Sequence, residues 1–251
     1  MNPHSLDIML RALRLPSILA GYRELAETAT ANNWSFEQYL QALLEVETAD
    51  RTRRRTTRLL TQSGLPDGKT LGTLNMALFP QKVQRVVPTL LDGGFVERTE
   101  NILAFGLPGR GKTHLLAAVA HELIVRHGRT VLFTTTFSLV QRLLVAKSEL
   151  RIEELLRKLD RYEVILLDDI GYVQQSREEM EILFTFLSER YERRSLMITS
   201  NLKFSEWDKI FKDPMTTAAA IDRLVHHSIV LELNGKSYRA DQAIERQKTG
   251  N

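Results

Sequence analysis

Gly106-Leu107-Pro108-Gly109-Arg110-Gly111-Lys112-Thr113 follows the apolar run Asn101 to Phe105 and opens the helical run Thr113 to Val125. Glycine, four residues, then Gly-Lys-Thr between a strand and a helix is the pattern of a phosphate-holding loop. The mechanism needs those residue types. Gly106, Gly109 and Gly111 let backbone amides approach phosphate oxygens with no side chain between. Pro108 and Arg110 fill the loop, and the helix start adds unpaired N–H groups and its positive dipole end. Lys112 is placed for the β and γ phosphates, and the Thr113 hydroxyl for a Mg²⁺ ion. The implied ligand is ATP with Mg²⁺.

Outward from the loop, short β-rich runs (Ile102 to Phe105, Thr130 to Thr135, Val164 to Leu167, Ser195 to Thr199, Ile229 to Leu233) alternate with helical stretches (Lys112 to Arg126, Leu150 to Arg161, Glu178 to Arg194). That alternation predicts an α/β fold, a parallel sheet with helices on both faces. Val164-Ile165-Leu166-Leu167 ends in Asp168-Asp169, and a parallel sheet presents strand ends at the rim that carries the ligand crevice. Asp168 is then the acid that holds Mg²⁺, as the Walker B acid does. Asp169 is the candidate for polarising an attacking water. It stands where many ATPases of this architecture carry Glu, and its side chain is one methylene shorter.

From Ser5 to about Leu60, apolar residues Ile8, Leu13, Leu15, Ile18, Leu25, Tyr39, Leu40, Leu43 and Leu44 recur at helical spacing. Gln62 to Gly68 holds two glycines and a proline and reads as a linker. The expected organisation is a helical amino-terminal domain over 1–66 and an ATPase domain over 67–251. Arg51, Arg53, Arg54, Arg55 and Arg58 fall within one short stretch, and Arg51, Arg54, Arg55 and Arg58 share a helical face. Glu47 to Arg51 and Asp50 to Arg54 have the i, i+4 spacing of weak pairs, whereas Arg53, Arg55 and Arg58 have no such upstream acid. The cluster reads either as a DNA backbone contact or as a solvated face.

At 251 residues and 43% hydrophobic, the chain can bury one main core with an appendage. It contains no cysteine, which excludes disulfides and thiolate metal sites, and its six histidines, among them His114, His121 and the pair His226-His227, show no zinc-ligand spacing. No stretch has the length of a membrane helix and the start lacks a signal-peptide layout, so a cytoplasmic protein with no membrane partner is expected. The net charge of +3 permits nucleic acid without arguing for it.

Ser195 to Asn201 is a further apolar strand with a polar end, where AAA+ ATPases place the residue that senses the γ-phosphate, and Asn201 is the match. Together with Phe95 to Asn101, Thr199 to Trp207, Ile221 to His227 and Gly235 to Arg239, it closely resembles the IstB-type transposition helper ATPases, in the AAA+ branch of the DnaC helicase loaders and DnaA initiators. The resemblance covers nearly the whole chain. It implies an AAA+ core whose homo-oligomeric ring or spiral assembles on double-stranded target DNA and recruits and stimulates a transposase encoded by the same element. It further implies that Arg223 is an arginine finger reaching a neighbouring subunit's ATP, and that a helical insertion falls over Phe137 to Arg161. The insertion's Arg142, Lys147, Arg151, Arg157 and Lys158 face DNA, or pair with the interleaved Glu149, Glu153, Glu154 and Asp160 on a solvated helix. Too little chain follows the last strand for a full carboxy-terminal lid, and Arg239 matches the family pattern without a derivable task. A helicase loader of the DnaC type shares all the ATP chemistry, and a small-molecule P-loop kinase shares the loop.

Overall fold

The computed structural model describes residues 3–171, 176–207, 210 and 214–234. The chain forms two compact units that divide between Arg58 and Leu59. In the first, α1 (Pro3–Ala12), α2 (Pro16–Ala31) and α3 (Phe36–Ser63) pack around Leu10, Ile18 and Leu43, with Leu15, Leu25 and Tyr39 partly buried against them. Ile8, Leu13, Leu40 and Leu44 share the helical spacing yet are exposed, because so few helices cover only one stripe of each partner. The α1–α2 corner is closed by buried Glu47. Its Oε2 accepts the N–H groups of Ser17 and Ile18 at 2.9 and 3.3 Å, satisfying the first turn of α2 from a residue of α3. Burial raises the Glu47 pKa, but hydrogen bonds from Arg51 and from those two amides outweigh it and hold the net value below the ordinary range.

α3 runs to Ser63, so the expected linker begins inside the helix, and Leu59 joins the core of the second unit, upstream of the expected boundary at 66/67. Two 3₁₀ turns (Leu71–Thr73 and Met76–Leu78), α4 (Gln81–Leu91) and α5 (Gly94–Glu97) lead into β1 (Asn101–Phe105), α6 (Lys112–His127), β2 (Val131–Thr135), α7 (Thr136–Ser148) and α8 (Ile152–Leu159). β3 (Val164–Asp168), α9 (Arg177–Arg190), β4 (Ser195–Ser200), a third 3₁₀ turn (Phe204–Glu206), α10 (Pro214–Val225) and β5 (Ser228–Glu232) complete the described elements. The five strands are all parallel, in the order β2-β3-β4-β1-β5. Alternate residues face opposite layers, as the two-residue strand period requires. Ile102, Ala104, Val164 and Leu166 meet α4 and α6; Leu103, Phe105, Ile165 and Leu167 meet α7, α9 and α10.

Two helices are shorter than their periodicity predicts. Leu150 and Glu192 both take left-handed backbone (φ +57° each), so α8 starts only at Ile152 and α9 stops at Arg190. Arg190 itself is 3% exposed and donates to the carbonyls of Leu159, Tyr162 and Ser195, tying the exits of α8 and α9 to the start of β4. Burial brings its pKa down to about 10, which still leaves it charged at neutral pH. The segment Gly235 to Arg239, like everything after Asn234, lies outside the described residues. Among the described residues no helix is long and apolar enough to cross a membrane.

Arg190→Met keeps the volume but strands three carbonyls. At about 1–3 kcal/mol for each buried unsatisfied group, the chain should lose at least about 3 kcal/mol of stability. Chemical denaturation measures this, and a loss below about 1 kcal/mol would show that water replaces the guanidinium.

Candidate functional site

The strand order brings the carboxyl ends of β1, β3 and β4 to one rim, and there a cleft of about 320 Å³ opens. Its lining includes Pro108 to Thr113, Asp168, Asp169 and Asn201 together with Lys69, His114 and Thr199. The loop and the strand-end acids read from the sequence therefore share one site. Gly106 (φ +153°) has no room for a side chain, because a Cβ would lie 2.7 Å from the Leu233 carbonyl oxygen. Gly111 caps α6 at φ +81°, with the Phe79 ring against it. Lys112 extends back along the loop, and its Nζ donates to the carbonyls of Gly106 and Leu107 at 2.6 and 3.2 Å.

Asp168 Oδ1 is the convergence point. It accepts hydrogen bonds from Thr113 Oγ1 at 2.7 Å and from Thr199 Oγ1 at 2.8 Å, and the Thr199 hydroxyl oxygen in turn accepts the Asp169 N–H at 2.8 Å. Asp169 follows in left-handed backbone (φ +60°), which turns its carboxyl away from the strand line. Its Oδ1 is buried and without a hydrogen-bond partner, as are Asn201 Oδ1 and one guanidinium nitrogen of Arg110. Burial raises the Asp169 pKa and the neighbouring Asp168 charge raises it further, with Lys112 opposing both. Three polar atoms unsatisfied within one small cleft are the signature of a site built for a polar ligand.

The donor set fits ATP with Mg²⁺: a glycine cradle, an ammonium and helix-start amides for phosphates, and an aligned hydroxyl and carboxylate for a hard cation. Thr113 and Asp168 would hold the ion, which neutralises charge on phosphate oxygens. Arg223 is not in the cleft. It lies on α10, stacked over the Phe184 ring at 4.8 Å and donating to Ser188 Oγ at 2.9 Å, both on α9.

Three participants were not singled out from the sequence. Thr199 stands inside a strand that reads only as apolar; the signal was a hydroxyl opposite the strand-end acid. His114 meets Thr73 Oγ1 at 3.0 Å and thereby links α6 to the turn after Lys69, and burial lowers its pKa. Neither His114 nor Lys69 belongs to a spacing that marks it.

The arginine cluster divides. Arg51 donates to Glu47 and to the Arg14 carbonyl, and Arg54 reaches Glu47 and Asp50. Arg53, which lacks an acid four residues upstream, instead pairs with Asp50 three residues upstream. Arg55 and Arg58 are exposed, and Arg58 has no ion pair among the described residues. In the insertion, Lys147 pairs with Glu178, Arg151 with Glu149 and Glu154, and Lys158 with Glu154, whereas Arg142 and Arg157 are exposed without an ion pair among the described residues.

With this geometry in place, the comparisons are specific. The family described as IstB-like ATP binding protein matches residues 8–246. An insertion-sequence ATP-binding protein of Sinorhizobium fredii is 43% identical over 244 residues, covering 97% of this chain and 82% of that protein. The corresponding protein of insertion sequence IS21 from Pseudomonas aeruginosa is 36% identical over 247 residues, covering 98% and 92%. Among solved structures, AMPPCP-bound DnaA from Aquifex aeolicus superposes with a TM-score of 0.57 at 19% identity, over 75% of this chain and 56% of that one. DnaI does so at 0.55 and 20% identity, over 70% and 95%. These two likenesses show the fold alone.

Gly171 offers a sharp probe of Asn201, since a Cβ there would fall 2.3 Å from Asn201 Oδ1. Gly171→Ala should displace the amide, leave ATP affinity within about threefold and lower turnover by about tenfold or more, of the order expected when one oriented polar group is lost. Unchanged turnover would remove Asn201 from the chemistry.

Proposed function

The chain belongs to the IstB-like ATP-binding protein family, and from that premise we propose that it is the ATPase that prepares target DNA for its element's transposase. It forms a homo-oligomer on duplex DNA in the ATP state, recruits and stimulates the transposase, and lets go after hydrolysis. The observation that carries the ATP half of this reading is the shared Asp168 oxygen, held by Thr113 from the loop helix and by Thr199 from the neighbouring strand.

In this mechanism the loop amides and Lys112 grip the phosphates, and Thr113 and Asp168 would hold a Mg²⁺ ion, which would neutralise charge on the phosphate oxygens. Asp169, whose pKa is raised by burial and by the neighbouring Asp168, takes the proton of the attacking water, and Asn201 aligns that water. Because its pKa is raised, Asp169 is an active base only above that elevated value. Turnover therefore falls on acidification at a pH above the ordinary Asp range of about 3.9. Arg223 acts in trans, which agrees with its absence from the lining of its own chain's cleft; a guanidinium arriving from a neighbour neutralises charge as phosphate leaves.

The DNA half rests on the arginine ridge. Five exposed arginines against Glu47 and Asp50 leave three net positive charges on one stretch of α3. Side chains of this kind bind backbone phosphate with little sequence preference, and the binding weakens steeply with salt. The similarity to insertion-sequence proteins favours this reading over the helicase loader, which the fold alone would equally allow.

ATP hydrolysis should rise with duplex DNA and with protein concentration. Arg223→Ala should keep nucleotide affinity and lose at least about tenfold in turnover; mixed with Lys112→Ala, it should regain activity, since each variant supplies the group the other lacks. Activity of Arg223→Ala alone equal to wild type would end the trans mechanism. On the DNA side, Arg55→Ala/Arg58→Ala should weaken duplex binding and reduce its salt slope by about two, one for each phosphate no longer neutralised. An unchanged slope would move the DNA-binding surface elsewhere.

A further inference from the structure

At the rim of the sheet opposite the phosphate loop, the turn from α9 into β4 and the turn from α10 into β5 bring together three side chains that the ATP chemistry does not use. One carboxylate oxygen of Glu192 and one ring nitrogen from each of His226 and His227 all lie within 4.8 Å of one another. Glu192 Oε1 is 3.6 Å from His227 Nε2, close to the roughly 3.3 Å that separates two ligands of a tetrahedral zinc ion with bonds of about 2.0–2.1 Å. The two imidazoles meet edge to face, centroids 4.3 Å apart.

A surface Glu–His pair would explain Glu192 and His227 alone, and such a pair contributes only about 0–1 kcal/mol. It leaves His226 unaccounted for, and it does not explain how firmly the two turns are held. Asn101, buried at the start of β1, ties them together: its N–H donates to the His227 carbonyl at 2.7 Å, its side-chain amide donates to the Leu224 carbonyl, and its Oδ1 accepts the Leu196 N–H at 2.9 Å. β1 lies between β4 and β5, so one residue holds the His226–His227 turn and the start of β4 that follows the Glu192 turn. Glu192 sits in left-handed backbone, unusual for a residue with a side chain, while Arg193 and Arg194 both donate to the Arg190 carbonyl and hold that turn. The Tyr191 hydroxyl lies 3.3 Å from His226 Nδ1 and orients that ring from behind, the arrangement that steadies metal-binding histidines.

We propose that Glu192, His226 and His227 form a binding site for a divalent transition ion of the zinc class. Two imidazoles and one carboxylate are a borderline donor set that takes Zn²⁺ and its neighbours, whereas Mg²⁺ and Ca²⁺ demand oxygen ligands. Three protein ligands leave one coordination position open. The bound ion joins the exits of α9 and α10, and Arg223 of α10 packs its side chain against α9.

The test uses the full untagged chain in a buffer free of phosphate and chelator, titrated calorimetrically with ZnCl₂. One equivalent should bind to the wild type, and millimolar Mg²⁺ should not displace it. Glu192→Gln and His227→Gln should each weaken binding at least about tenfold. Both side chains are about half exposed, so the metal-free melting temperature and ADP binding should stay at wild-type values and certify the fold. No zinc uptake, uptake unchanged in both variants, or displacement by Mg²⁺ would each overturn the site.

Discussion

The ATPase unit turns on one oxygen atom. Asp168 Oδ1 accepts hydroxyl protons from Thr113 and Thr199, which arrive on the phosphate-loop helix and on the adjacent strand. A carboxylate at a half-buried strand end must be compensated by donors, and here the donors are also what fixes its rotamer. The same Thr199 hydroxyl receives the Asp169 amide, so the chain reverses into left-handed backbone at a defined point and aims the second acid into the cleft. The positions of the loop and of both strand-end acids are thus one constraint, set by the β3-β4-β1 neighbourhood.

A second constraint acts within the helical unit. Buried Glu47 stands in for the missing acceptors at the start of α2, and Arg51 and Arg54 keep it charged there. Part of a ridge that looks available for phosphate is therefore committed to holding three helices together. Charge on a surface and charge free to bind are different quantities, and in α3 the acids at positions 47 and 50 draw the distinction.

Most of the fold was legible because its signals are local. Val164 to Leu167 is continuously apolar since both faces of a parallel strand are covered, and the loop glycines announce themselves by spacing. What was not legible depends on distant partners. Thr199 looks like any β-branched strand residue until Asp168 is placed opposite it. Arg53 finds its acid at three residues rather than four, which pairwise spacing rules at i, i+4 overlook. The periodic apolar residues Leu40 and Leu44 cannot be sorted into core and surface without knowing how many helices share the core. The histidine pair carries no metal spacing because its third partner, Glu192, is separated from it by the whole of β4 and α10.

The crowding at Gly106 ties the phosphate cradle to the margin of the sheet. The Leu233 carbonyl fills the space a methyl group would need there, while the Leu233 amide is bonded to the Phe105 carbonyl one residue earlier. Among the described residues β5 is an edge strand of the sheet, paired there with β1 alone. A tug of a few tenths of an ångström on its far end cannot be absorbed by slack, since close-packed backbone has none. The last strand and the first glycine are geared: with no slack between them, a mechanical load on the border of the sheet reaches the first turn of the glycine loop.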